Sequence, residues 1–218
     1  MHHDSQFWWN WWVNFGIAIA TFSAVLVALF GDSIKARIFH SKLKISLRNS
    51  IGEKTQVQYY KTNEKNEQVL ISEDARYYHV KVKNLATWPS STQTQVLLQR
   101  VEQPGPDGRL QIKWDGEVPM EWMHQSLYPI TRTVGPEAIC DLCSVVKNNP
   151  VYLNLLPIIR PNSLITKYIG KTVLVLTLQA KGNEGESHIA RLEISWDGLW
   201  EDGETEMIRH FIVKDIPI

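Results

Sequence analysis

The sequence predicts a mainly β protein: an N-terminal transmembrane helix followed by an antiparallel β-sandwich. Three observations carry this. Residues 7–30, FWWNWWVNFGIAIATFSAVLVALF, contain no ionisable side chain. From Leu43 onward the hydrophobic period drops to two. Short alternating stretches then recur to the C-terminus, with turn signals between them and few long helical patterns.

The opening run is long enough to cross a bilayer. Its 24 residues would span about 36 Å as a helix, against a hydrocarbon core of about 30 Å. Trp8, Trp9, Trp11 and Trp12 crowd one end, where amphipathic indoles favour the headgroup layer. Asn10 and Asn14 belong to that interfacial end, and Thr21 and Ser23 can bond back to carbonyls of their own helix. A cleaved signal peptide fits poorly. MHHDSQ has no Lys or Arg, the apolar core is too long, and it ends in Leu29-Phe30-Gly31. A buried soluble helix is disfavoured because no other helical pattern could wrap it.

The flanks set an orientation. Only Asp4 precedes the run, whereas Lys35, Arg37, Lys42, Lys44 and Arg48 follow it against one acid, Asp32. The positive-inside rule places the basic flank in the cytoplasm. The expected layout is a short extracytoplasmic tail (1–6), a transmembrane helix (7–30), a basic juxtamembrane segment (31–42) and a cytoplasmic sandwich domain (43–218), held in the cell inner membrane. Trp8, Trp9, Trp11 and Trp12 mark one membrane interface, and Lys35, Arg37, Lys42 and Lys44 the other, beside anionic headgroups. Ser33 to His40 either prolongs the helix or lies along the surface. Gly16, Ala20, Ala24 and Ala28 form a stripe of small side chains that would let a second helix approach closely. Gly and Ala are also simply common in membrane helices.

After the helix the strands can be taken in order. Leu43, Ile45 and Leu47 alternate with Lys44, Ser46 and Arg48. TQVQYYK and EQVLIS flank a polar turn. YYHVKVKNL sets Tyr78, Val80 and Val82 against His79, Lys81 and Lys83. TQVLLQRVE and RLQIKW flank the turn QPGPDG. VYLNLL, TVLVLTLQA, HIARLEISW and RHFIVKDI complete the set, and TVLVLTLQA is apolar enough to be central. AKGNEGES reads as a loop. A helical turn is expected at 137–147, where Ala138, Leu142 and Val145 or Val146 follow an i, i+4, i+7 spacing. IKWDGE and ISWDGL each read as a strand ending in Trp-Asp-Gly, by convergent turn chemistry.

The tryptophan-flanked helix, YYHVKVKN and the C-terminal LEISWDGLWEDGETEMIRHFIVK together resemble a group of uncharacterised bacterial proteins. These have one N-terminal membrane helix and an immunoglobulin-like β-sandwich. The resemblance covers most of the chain and implies that fold and a membrane location. The group supplies no catalytic residues.

Composition and motifs narrow the chemistry. With 23 basic and 23 acidic residues the formal charge is zero, so nothing steers the chain to nucleic acid. Cys140 and Cys143 are too few for a disulfide framework or a four-thiolate zinc site. On an extended chain they would point to opposite faces, and a redox pair would need a βαβ setting. Buried structural thiols are the expectation, with metal and redox roles as alternatives. Asp197, Glu201, Asp202, Glu204 and Glu206 crowd one loop. Their spacing does not fit an EF-hand, so a solvated hairpin tip is expected, with a cation or basic partner as the alternative. His188 and His210 read as satisfied strand residues. There is no Gly-x-Ser-x-Gly, phosphate loop or His-Glu-x-x-His.

These observations point to a membrane-anchored cytosolic binding or regulatory module, not an enzyme, with no cofactor. The expected partners are the lipid bilayer and a protein partner or a second copy. Two alternatives stand beside it: a membrane-active effector assembled through its helix, and an enzyme with a diffuse site.

Overall fold

The computed structural model describes residues 3–38, 41–62, 66–86, 89–123 and 130–217, so Trp88 and His40 lie outside the described residues. The chain divides into two units, Met1–His40 and Ser41–Ile218.

The first unit is one helix, α1, His3–Ile38. It continues through Ser33 instead of ending at the apolar run. Within it Trp8–Gly31 has a mean hydropathy of 2.2 and none of it is buried, which is long and apolar enough to cross a membrane. Thr21 Oγ1 donates to the Ile17 carbonyl at 2.9 Å, so this polar side chain is satisfied inside its own helix. Trp11 stacks on Phe15 one turn later, ring centroids 5.3 Å apart.

The second unit is a two-sheet antiparallel sandwich. Its strands are β1 Leu43–Leu47, β2 Glu53–Thr62, β3 Gln68–Asn84, β4 Ser91–Pro104, β5 Leu110–Pro119, β6 Arg132–Val134, β7 Glu137–Val146, β8 Tyr152–Leu155, β9 Lys167–Ile169, β10 Thr172–Gly182, β11 Gly185–Glu186, β12 Ala190–Trp196 and β13 Phe211–Ile216. A short helix, α2 Glu204–His210, precedes β13. The first sheet runs β1-β3-β7-β8-β9, with β2 also on β3. The second runs β13-β12-β10-β4-β5, with β11 on β10 and β6 on β4.

The core lies between the sheets. Tyr78, Val80 and Val82 of β3 and Leu153 and Leu155 of β8 face Leu174, Leu176 and Leu178 of β10 and Ile194 of β12 across it. Tyr78 stacks on Phe211 of the other sheet, centroids 3.9 Å apart. The strand TVLVLTLQA is central, as its composition predicts: β10 pairs with β12 on one side and β4 on the other.

Several elements depart from the sequence reading. EQVLIS and YYHVKVKNL are one 17-residue strand, β3, whose first half pairs only with β2. The expected helical turn at 137–147 is strand β7. The RH of RHFIVKDI ends α2 instead of starting β13. AKGNEGES is mostly a tight hairpin, with Gly182 paired to Gly185. Trp114-Asp115-Gly116 does not end a strand but lies inside β5, beside a register shift. Only the second copy turns the chain, at Gly198 with φ +95°, a conformation few L side chains adopt.

Truncating the central strand tests this core. Leu176→Ala removes a side chain with no exposure and should cost about 2–5 kcal/mol in denaturant unfolding. Val175→Asp should be worse, because Val175 pairs between Glu102 and Glu193 and the new carboxylate would be buried beside two others.

Candidate functional site

The outer face of the first sheet carries an unusual polar cluster. Along β3 the odd residues point away from the core, so Tyr77 and His79 share that face with Glu53 of the adjacent β2. An outward histidine on a sheet is normally solvated. His79 is instead 2% exposed. The cause lies in β7. Tyr78 pairs with Cys143 and His79 with Asp141, leaving Leu142 as an extra residue in a bulge. Asp141, next to core-facing Cys140, faces outward under His79, and the bulge after it returns Cys143 to the core.

The geometry is specific. His79 Nδ1 lies 2.7 Å from Asp141 Oδ1. A carboxylate only accepts, so Nδ1 carries the proton and donates it. The opposite nitrogen, Nε2, is buried and has no hydrogen-bond partner among the described residues. It lies 3.6 Å from Glu53 Oε2, beyond a good hydrogen bond. Glu53 Oε1 is held by Arg48 Nη1 at 2.7 Å. Arg48 Nη1 also meets Met123 Sδ at 3.2 Å. Met123 follows Trp122, which bridges to Cys140 from the side of β7 away from β3. The cleft so formed, about 390 Å³, is bordered by Thr55, Val57, Tyr77 and Met123 as well as these polar groups. Its field is acidic. Burial and then the charge of Asp141 push up both the Tyr77 phenol and the Glu121 carboxyl.

The residues singled out in the sequence lie elsewhere. Cys140 and Cys143 are free and buried. The bulge puts both in the core, so the opposite-face expectation fails. Burial pushes both thiols up, which keeps them un-ionised and unreactive. No group of three or more His, Cys, Asp or Glu among the described residues is placed to hold a metal.

The acidic loop is not a free hairpin tip. Asp202 accepts from Lys54 at 2.9 Å, Lys147 at 2.8 Å and Trp200 Nε1 at 3.1 Å, and its carbonyl accepts from Arg76. Asp197 takes His210 Nδ1 at 2.7 Å and the Leu199 amide. Glu201, Glu204 and Glu206 are exposed, the last two in the first turn of α2. His188 is exposed. On α1, Gly16, Ala20, Ala24 and Ala28 are exposed along one face, and Trp8, Trp9, Trp11 and Trp12 are exposed near its N-terminal end. Lys42 and Lys44 are exposed, and the side chains of Lys35 and Arg37 lie outside the described residues.

Sequence reasoning missed His79, Asp141 and Glu53. One signal was present: Asp141 interrupts the apolar run AICDLCSVV, and a carboxylate there needs a partner. Comparison with protein-family models, curated proteins and solved structures finds no match.

The Asp202 contacts give a pH-dependent prediction. Hydrogen bonds from Lys147, Lys54 and Trp200 hold its carboxyl well below the usual carboxylate range. Such a group stabilises the fold above its unfolded value of about 4 and loses that contribution as pH falls toward its folded value. Asp202→Asn should therefore lower the thermal midpoint at neutral pH, and the gap to wild type should close on acidification below about pH 4. A gap independent of pH would remove charge from the explanation.

Proposed function

We propose that the protein is a membrane-anchored binding module: α1 tethers it, the sandwich faces the cytosol, and the cleft over His79 receives the ligand. The single observation that carries this is the buried, unpartnered Nε2 at the cleft floor, fixed in direction by Asp141. Buried polar atoms are normally satisfied, and an exception in a cleft is where a ligand completes the set. Binding is favoured over catalysis by what borders the dyad. The hydroxyls there are Thr55 and Tyr77, with no serine or cysteine among the described residues that line it, and the two thiols face the core. A histidine–carboxylate pair without an activated nucleophile beside it orients a ligand. The cytosolic orientation is supported by the basic flank after residue 32.

Two measurements test this reading. A C-terminal reporter active only in the cytoplasm should work, and a periplasm-dependent one should stay silent. A small-molecule screen by NMR, spanning anionic, neutral and cationic fragments, should give saturable shifts confined to His79, Tyr77 and Asp141. Failure of every fragment to perturb the cleft would refute the ligand site.

The small-residue stripe favours a second reading, assembly through the helix. Gly16 has open space around it, and Ala20, Ala24 and Ala28 are exposed on the same face. Replacing Ala20 and Ala24 by Leu keeps the helix insertable but blocks close backbone approach. Crosslinking in intact membranes should then show normal insertion with weakened self-association. Unchanged crosslinking would leave the helix as a simple tether.

A further inference from the structure

We infer that the cleft over His79 accepts a primary ammonium group on an alkyl chain, either a lysine side chain of a protein or a small free amine. The inference rests on the cleft's being the ligand site and adds the chemistry of what enters it.

Hydrogen-bond polarity decides first. With Nδ1–H donated to Asp141, Nε2 is the ring's remaining polar site, and in the neutral form of the ring it is an acceptor. Glu53 Oε2, 3.6 Å away, is also an acceptor. Two acceptors thus face one space with no described donor between them. One nitrogen can lie about 2.9 Å from both, and an ammonium brings three donors on a single atom. A carboxylate or phosphate would bring only further acceptors.

Charge decides second. Among the described residues, the ionisable groups around His79 are Arg48 and Glu53 from the β1–β2 junction, Lys54 of β2, Tyr77 and Lys81 of β3, Asp141 of β7, and Glu121 before Met123. Two of these cations turn away, Lys54 to Asp202 at 2.9 Å and Lys81 toward Glu137 at 4.0 Å, while Arg48 pairs with the other oxygen of Glu53, Oε1, at 2.7 Å and leaves Oε2 to the cleft. Asp141 and Glu121 raise the Tyr77 phenol beyond its burial alone, so their field reaches the cleft. A cation entering there meets carboxylates.

Shape decides third. The Tyr77 ring, roughly parallel to the imidazole at 6.4 Å, offers a π-face to a cation. Val57 and Met123 offer apolar contact to the methylenes behind it. The volume of about 390 Å³ suits a chain of lysine length.

The test uses the full-length protein in detergent micelles, with the His79 imidazole followed by NMR. Butylammonium and Nα-acetyl-lysine methylamide should each give saturable shifts, while butanol and butyrate should not. Equal affinities would assign the site to free amines, and tighter binding of the lysine derivative to a protein side chain. Glu53→Gln should weaken both at least about tenfold. Thr55→Lys, at an exposed rim position, should block binding by supplying a rival ammonium, and it serves where Glu53→Gln fails to fold. No saturable shift with either amine, or binding insensitive to Glu53→Gln in a folded variant, would each overturn the inference. If neutral or anionic fragments occupied the cleft while amines did not, the binding-module reading would survive without it. If nothing bound there, both would fall.

Discussion

One extra residue in β7 sets both faces of the first sheet. Because Leu142 has no partner opposite the Tyr78–His79 step, the inward and outward sets exchange parity at that point. Before it, Ala138 and Cys140 face the core; after it, Cys143 and Val145 do. Without the bulge one of these two pairs would be turned to the outer face. With it, Asp141 is the residue that turns outward, beneath His79. The burial of both thiols on either side of the outward Asp141 is therefore a consequence of one backbone irregularity. It is stabilised from the inside by the core it completes, and on the outside by a charge-assisted hydrogen bond that lets a carboxylate be nearly buried.

What could be read from the sequence follows the same division. Alternation identified the strands that keep strict parity, such as Leu43–Leu47, and the apolar run TVLVLTLQA identified the strand with neighbours on both sides. It failed where parity breaks. A one-residue slip in a strand turns a spacing of two into three, and Ala138, Leu142 and Val145 then match a helical period as well as an extended one. The site was invisible for a related reason. His79 alternates with Lys81 and Lys83 exactly as a solvated residue would, and nothing local says that Asp141, 62 positions away, and Met123 will cover it. Propensity speaks for neighbours in sequence; this cleft is made of neighbours in space.

The acidic loop shows the converse error. Five acids in ten positions invite a partner from outside. Yet Asp202, carried by the second sheet's β12–α2 connection, is taken by Lys54 of β2 and by Lys147, just past β7. Its carbonyl is taken by Arg76, which is fully buried. The loop is a clasp between sheets, working beside the Tyr78–Phe211 stack. Exposed ion pairs are individually weak, but two lysines and an indole on one carboxylate fix where the connection lies. Charge that closes the sandwich is not free to recruit a ligand. Interest therefore shifts from the loop to the sheet face, where a polar atom remains unsatisfied among the described residues.

A site of this kind is small. On the proposed reading it offers two acceptors, one aromatic face and a short apolar wall, and a contact set of that size gives modest affinity once the lost freedom of the ligand is counted. In free solution such a site would rarely be filled. Tethering changes the arithmetic, because two groups held to the same surface meet at an effective concentration set by their linkers instead of by dilution. On the proposed reading, a helix apolar enough to span a membrane and a small cleft are complementary features. On that reading the anchor would supply concentration, and the His79–Asp141–Glu53 geometry would have only to supply selectivity for charge and hydrogen-bond polarity.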